Sequence, residues 1–344
     1  MKTIAFIADV KGWAFDLAAH MIKKELKEDF KIDIFYSKSE EFGEDLGKII
    51  ERVKNYDIIH FFWRKTLLQF YDLEFQNKLI EQKIEIDKLK QKISTGIYDH
   101  LFIDDPMYDR IFNEISKKYV TSSEKLYEIY CQNNRIKKPW GILGDTFDEK
   151  LFYPKKQERG KGNEDSSFVI GWVGNSAWNH KLRDENGKQI DFKGFHTVLM
   201  PVIEELQKEG YQIETYYADK NTNFIPNDKM PEYYHKLNVY ICASITEGTP
   251  KPLLEAMGCG VPVITTDVGI AREYMGPKQS QFIIGERQIG KSDDEIRKEL
   301  KKKIIELYHN PTKQFELAQE NYENSKKFNS KAYGKKYKEY FLNF

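Results

Sequence analysis

The chain has 344 residues, long enough for two domains with separate cores. Its 54 basic and 54 acidic side chains cancel to a formal charge of zero, so no global field favours nucleic acid or an anionic membrane. No apolar run approaches the roughly 20 residues needed to cross a bilayer. The expectation is a soluble, cytoplasmic protein, or one peripheral to the inner face of a membrane.

The first strand-sized run, in MKTIAFIADVKGWAF, meets Asp9 and Lys11 before it reaches signal-peptide length. Thr3–Ala8 reads as a strand, and Ala14–Glu28 has helical spacing through Phe15, Ala18, Ala19, Ile22 and Leu26. Lys31–Tyr36 alternates as a strand, Leu46–Lys54 is helical, and Asp57–Trp63 and Ile93–Tyr98 are further strands. Alternation of this kind predicts parallel βαβ units with helices on both faces of a sheet. Between the last two strands, Phe75, Leu79, Ile86, Leu89 and Ile93 repeat among Lys and Glu at helical spacing, predicting one amphipathic helix over 75–93. Such a helix packs on its own domain or offers a dimer or membrane-surface contact.

Residues 155–167, KKQERGKGNEDSS, lack any apolar period and read as a linker. A second βα series follows: Phe168–Val173 (strand), Thr197–Lys208 (helix), Ile213–Ala218 (strand), Met230–Leu237 (helix) and a strand through Val239–Ala243. The expected organisation is 1–154, a linker at 155–167, 168–330, and a helix at 331–344. That last segment carries Tyr333, Tyr337, Tyr340, Phe341 and Phe344 on one face and is expected to dock on a surface. Cys131, Cys242 and Cys259 have no metal-ligand spacing and read as reduced core thiols.

The chemistry concentrates in Ser244–Gly260, SITEGTPKPLLEAMGCG. An apolar strand ends just before it, and a helix opening around Pro252 runs to a glycine stop. Helix N-termini expose unpaired amides and partial positive charge, which suits an anion. Gly248 permits close approach of the backbone. Glu247, beside that anion site, suits hydroxyl groups, and Glu255, one turn into the helix, suits a vicinal diol such as ribose. A ligand carrying both hydroxyls and phosphates fits this pattern.

The string EGTPKPLLEAMGCGVPVI at Glu247–Ile264 resembles the GT-B glycosyltransferases, in particular the retaining family 4 group that includes sucrose-phosphate synthases and bacterial mannosyl- and glucosyltransferases. The resemblance extends through MPEYYHKLNVYICAS before it and TTDVGIAREYM after it. It implies an α/β fold of two Rossmann-like domains facing a cleft, with the C-terminal helix docking back on the N-terminal domain. It further implies a nucleoside-diphosphate sugar as donor, bound with Gly248, Thr249, Pro250 and Lys251 at the helix start. Glu247 would meet the sugar hydroxyls and Glu255 the ribose. Lys193, in Lys193-Gly194, would meet the diphosphate, while Asn175 stands where the family usually carries Arg. Lys181 or Arg183 could supply the second charge.

In the first half, Gly12 sits on the turn where relatives bring a glycine to the phosphate. Tyr98-Asp99-His100 occupies the place of the family's sugar-contacting histidine pair, which points to His100, and His60 reads as a core or cleft-lining residue. The resemblance implies transfer with retained configuration, without metal or other cofactor, onto a glycan or lipid-linked acceptor in surface polysaccharide synthesis. A non-catalytic nucleotide-sugar sensor and a sugar-nucleotide epimerase of the same fold are the alternatives.

Overall fold

The structure, a computed structural model, describes residues 1–37, 45–155, 167–177, 182–184 and 186–344. It separates into two units, one of residues 1–146 with 330–344 and one of residues 147–329. The division falls at Thr146/Phe147, upstream of the boundary read at Pro154. Apart from Lys155 and Ser167 the linker segment lies outside the described residues, as does Lys181.

Unit 1 is a parallel five-stranded sheet, β1 Lys2–Ala8, β2 Phe30–Tyr36, β3 Ile58–Phe61, β4 Ile93–Ile97 and β5 Lys118–Thr121, in the order β2-β1-β3-β4-β5. The strand β5 escapes the sequence reading because KYVT is short and flanked by lysines and serines, with no alternation to mark it. The core lies on both faces. Ile49, Ile50, Ile59, Leu79, Ile93 and Ile111 fill one cluster; Ile4, Phe6, Ala18, Ala19, Phe62 and Val120 fill another.

The single helix expected over 75–93 is two helices, Leu73–Glu81 and Ile86–Lys90, with Ile93 already in β4. Lys83 between them adopts φ 55°, and the Ile84 amide turns back to donate to Leu79 O at 2.9 Å. A left-handed residue ends a helix whatever its side-chain periodicity says. Phe75, Leu79 and Leu89 are buried in unit 1's own core, so the apolar stripe has its partner there.

The C-terminal helix Ser330–Leu342 belongs to this unit. It buries Tyr333, Tyr337, Tyr340 and Phe341, the last two completely, against the helix Ala14–Leu26 and strand β1. The aromatic stripe read from the sequence is the docking face. His60 lies beneath it: its ring is buried among Phe6, Phe62 and Phe341, and Nδ1 sits 2.8 Å from Ser94 Oγ. Ser94 Oγ in turn lies 2.6 Å from the Tyr340 hydroxyl. His60 is therefore a core residue.

Unit 2 repeats the scheme with four parallel strands, β6 Phe168–Gly174, β7 Ile213–Asp219, β8 Val239–Cys242 and β9 Val263–Thr265, ordered β7-β6-β8-β9. In both units the strand order reverses beside the first strand. A crevice forms at the carboxyl ends of strands where order reverses. In unit 2 those ends are Gly174-Asn175 and Ala243-Ser244.

Candidate functional site: the carboxyl end of the second sheet

Three chain segments meet at that reversal point: the turn after β6, the loop Asp191–Gly194, and the loop from Ala243 to the helix Lys251–Gly258. Gly194 makes the second contact possible. Its φ is +66°, and a Cβ there would stand 2.2 Å from Ala243 O. A backbone link from the Ile245 amide to Phe192 O, 2.8 Å, holds the two loops together.

Lys193 and Glu247 are ion-paired in consequence, Nζ to Oε1 at 2.5 Å, and Ser244 Oγ donates to the same oxygen at 2.7 Å. Burial works against the charge on Lys193, but the adjoining carboxylate outweighs it and raises the ammonium's pKa above the usual lysine value. The two residues singled out for leaving group and sugar, 54 positions apart, touch.

The loop carrying Glu247 is buttressed from below. Gly269, at φ +47°, lies so close that a Cβ would come within 1.9 Å of Gly248 O. Thr266 Oγ1 donates to Ser244 O at 2.7 Å. The helix Lys251–Gly258 has Pro250 at its N-cap with no side-chain cap, and Pro252 brings no N–H to its first turn.

Glu255 is buried, one turn further on, and its Oε2 accepts a 2.9 Å hydrogen bond from the fully buried Tyr234 hydroxyl. Burial pushes its carboxyl above the usual glutamate value, with Lys251 and the Tyr234 hydroxyl pulling the other way.

Asn175 is spent on its own turn. Its Oδ1 accepts from the Ala177 amide at 3.0 Å and from Asn221 Nδ2 at 2.8 Å. The neighbouring Ser176 is fixed by the buried carboxylate of Asp219 through both amide and hydroxyl. Arg183 is exposed in a short antiparallel bridge with Gln189.

One residue that the sequence reading passed over organises the site. Arg287 is buried and uses all five donor positions of its guanidinium. Nε and Nη2 clasp Asp293 at 2.8 Å each, and Nη2 also reaches Thr197 Oγ1 at 3.0 Å. Nη1 donates to Asp191 O at 3.0 Å and to Ala243 O at 2.7 Å. Those carbonyls belong to the loops that bring Lys193 and Glu247 together.

Gly12 and His100 belong to unit 1, at the carboxyl ends of β1 and β4. Gly12 takes φ +81°, and its amide donates to the buried Asp16 carboxylate at 2.7 Å. His100 is half-buried, in a turn anchored by its neighbour: Asp99 Oδ1 lies 2.5 Å from Arg64 Nη2, which also donates to Leu101 O. Burial would raise the Asp99 carboxyl, but Arg64 reverses this and holds it low. Among the described residues, no group of three or more His, Cys, Asp or Glu is placed to hold a metal ion. No helix among them is long and apolar enough to cross a membrane.

Comparison with known proteins bears on the fold and on the second half of the chain. Residues 194–327 match the family of glycosyl transferases group 1. A stretch of 79 residues is 30% identical to O-antigen chain mannosyltransferase B of Escherichia coli, covering 23% of this chain and 19% of that one. The two curated relatives matched are covered over 19% and 28% of their lengths, so the chain spans well under a third of either. Among solved structures, HepE of Anabaena in complex with UDP-glucose superposes over 100% of both chains with a TM-score of 0.66 at 13% identity. Sucrose-phosphate synthase of Thermosynechococcus elongatus gives 0.66 at 15% identity over 100% of this chain and 99% of its own. At such identities the likeness is one of fold, the two-Rossmann GT-B class.

Proposed function

From a chain whose residues 194–327 form a glycosyl transferases group 1 domain on a GT-B fold, we propose an enzyme that transfers a sugar from a nucleoside-diphosphate sugar to a glycan or lipid-linked acceptor in polysaccharide assembly. The Lys193–Glu247 contact beside an uncapped helix start carries the reading. It puts a cation for phosphate and a carboxylate for sugar hydroxyls within one hydrogen bond of each other. The O-antigen role printed for the mannosyltransferase relative supports the polysaccharide setting.

In this reading Glu247 holds the sugar ring through its hydroxyls, and Lys193 with the amides at the helix start neutralises charge growing on the departing diphosphate. Stabilisation of a leaving group by preorganised donors is the largest catalytic term open to such a site. Glu255 accepts from the ribose hydroxyls. The sugar keeps its anomeric configuration: the diphosphate leaves from the face the acceptor enters, and its oxygen takes the acceptor proton. With Lys193 and helix amides meeting the negative charge, no metal is required.

Purified protein incubated with UDP- and GDP-sugars should release nucleoside diphosphate, slowly to water and faster with an acceptor glycan. Binding of donor with no release from any of them would favour a nucleotide-sugar sensor instead. The observation behind that second reading is Asn175, a neutral residue spent on its own turn at the end of the first strand of unit 2.

A further inference from the structure

We propose that Lys251 is the second cation of the donor site and meets the phosphoryl group bonded to the ribose; this rests on the donor-site reading above. Lys251 opens the helix Lys251–Gly258 and is buried, with 9% of the residue exposed. No acceptor among the described residues takes a hydrogen bond from its ammonium, which reaches Glu255 only as a neighbouring charge. Its three N–H donors are thus left for a ligand anion.

The surroundings suit an anion as well. The helix start has no side-chain cap, and the amides of Gly248 and Lys251 donate to nothing among the described residues. Two idle amides, the positive end of a helix and an ammonium with no hydrogen-bond acceptor among the described residues therefore coincide. Asn175, at the end of the first strand of this unit, brings no charge, so the second charge comes here from the helix itself.

Position along the helix assigns the phosphoryl group. Lys251 and Glu255 are four residues apart and share a helix face. Glu255 is the ribose ligand in the donor reading, so Lys251 stands one turn from the ribose. Lys193, paired with Glu247, stands beside the sugar. The two lysines thus divide the diphosphate, Lys251 on the ribose side and Lys193 on the sugar side.

Calorimetric titration of the full chain with UDP, GDP and ADP, and then with the monophosphate and nucleoside of the tightest binder, tests this. Lys251→Met should weaken diphosphate and monophosphate binding about 10-fold or more, as expected for a lost charge-assisted bond, and weaken nucleoside binding far less, since the loss there comes only through Glu255. Lys193→Met should weaken the diphosphate alone. Lys251→Arg should retain most of the affinity. Diphosphate binding by Lys251→Met within 3-fold of the parent, as a roughly set margin, or equal loss of the nucleoside, overturns the role of Lys251. Failure of the unaltered chain to bind any of the three diphosphates overturns the donor-site reading itself.

Discussion

Lys193 Nζ and Glu247 Oε1 are 2.5 Å apart, so each is the other's counter-ion before any ligand arrives. In the proposed donor site a ligand would exchange both partners, its sugar hydroxyls taking the carboxylate and its phosphate the ammonium. The pair therefore competes with the ligand that each half serves.

That competition gives Glu247→Gln two opposite effects. Transfer should fall by about 100- to 1,000-fold, the usual loss for a preorganised transition-state contact. Affinity for the free nucleoside diphosphate should rise by roughly 5-fold, because Lys193 is released and a nearby negative charge removed. Steady-state kinetics and calorimetry on one preparation read both. Unchanged transfer would show that Glu247 does not hold the reacting sugar.

As the proposed ribose ligand, Glu255 should make donor binding pH-dependent. Burial raises its carboxyl above the usual glutamate value. A raised carboxyl contributes stability that is present below its unfolded pKa and lost as pH rises through the folded one. Donor affinity should run the other way, strengthening as pH rises and the carboxylate forms to accept the ribose hydroxyls. Glu255→Gln should flatten the profile and weaken donor binding. Tyr234→Phe removes the hydroxyl that favours the charged form and should move the profile to higher pH. An unchanged profile in both variants would remove Glu255 from donor binding.

Arg287 is the point of greatest structural leverage. Arg287→Met strips donors from two loop carbonyls and leaves Asp293 without its cation. Breaking a buried pair in this way costs about 3–5 kcal/mol, and urea unfolding should register it. Arg287→Lys should recover little, since an ammonium cannot clasp a carboxylate and two carbonyls at once. Gly194→Ala should fail in the same region, because its methyl group meets Ala243 O.

Much of this was legible beforehand, and the exceptions have physical causes. Glu247, Glu255 and the helix start were visible because strand, turn and helix signals follow one another within a short stretch. The stripe Tyr333–Phe341 announced a docked helix by period alone. Arg287 gave no such sign: its acceptors are carbonyls 96 and 44 residues away, which any sequence provides. The break at Lys83 was hidden for a related reason. Apolar periodicity on both sides stays helical, and nothing in a lysine marks a left-handed turn.

His60 predicts acid sensitivity of unit 1. Burial lowers its imidazole pKa from 6.5 to about 3. A lowered histidine contributes stability that is complete above its unfolded pKa and lost as pH falls towards the folded one. The window is thus pH 6.5 to 3, with a loss of roughly 5 kcal/mol across it. Urea unfolding at several pH values should show this slope, reduced in His60→Gln. An identical slope in the variant would place the acid response elsewhere.

Residues 330–344 complete the unit that opens at Met1, while residues 147–329 form their own unit, with Phe147 and Asn329 paired in a parallel bridge. During synthesis the surface around Phe6, Ala19 and Phe62 therefore stays uncovered while the whole of the second unit is made, because Tyr340 and Phe341 come last. For that interval the nascent chain carries an exposed apolar face, the state in which a chaperone would find it.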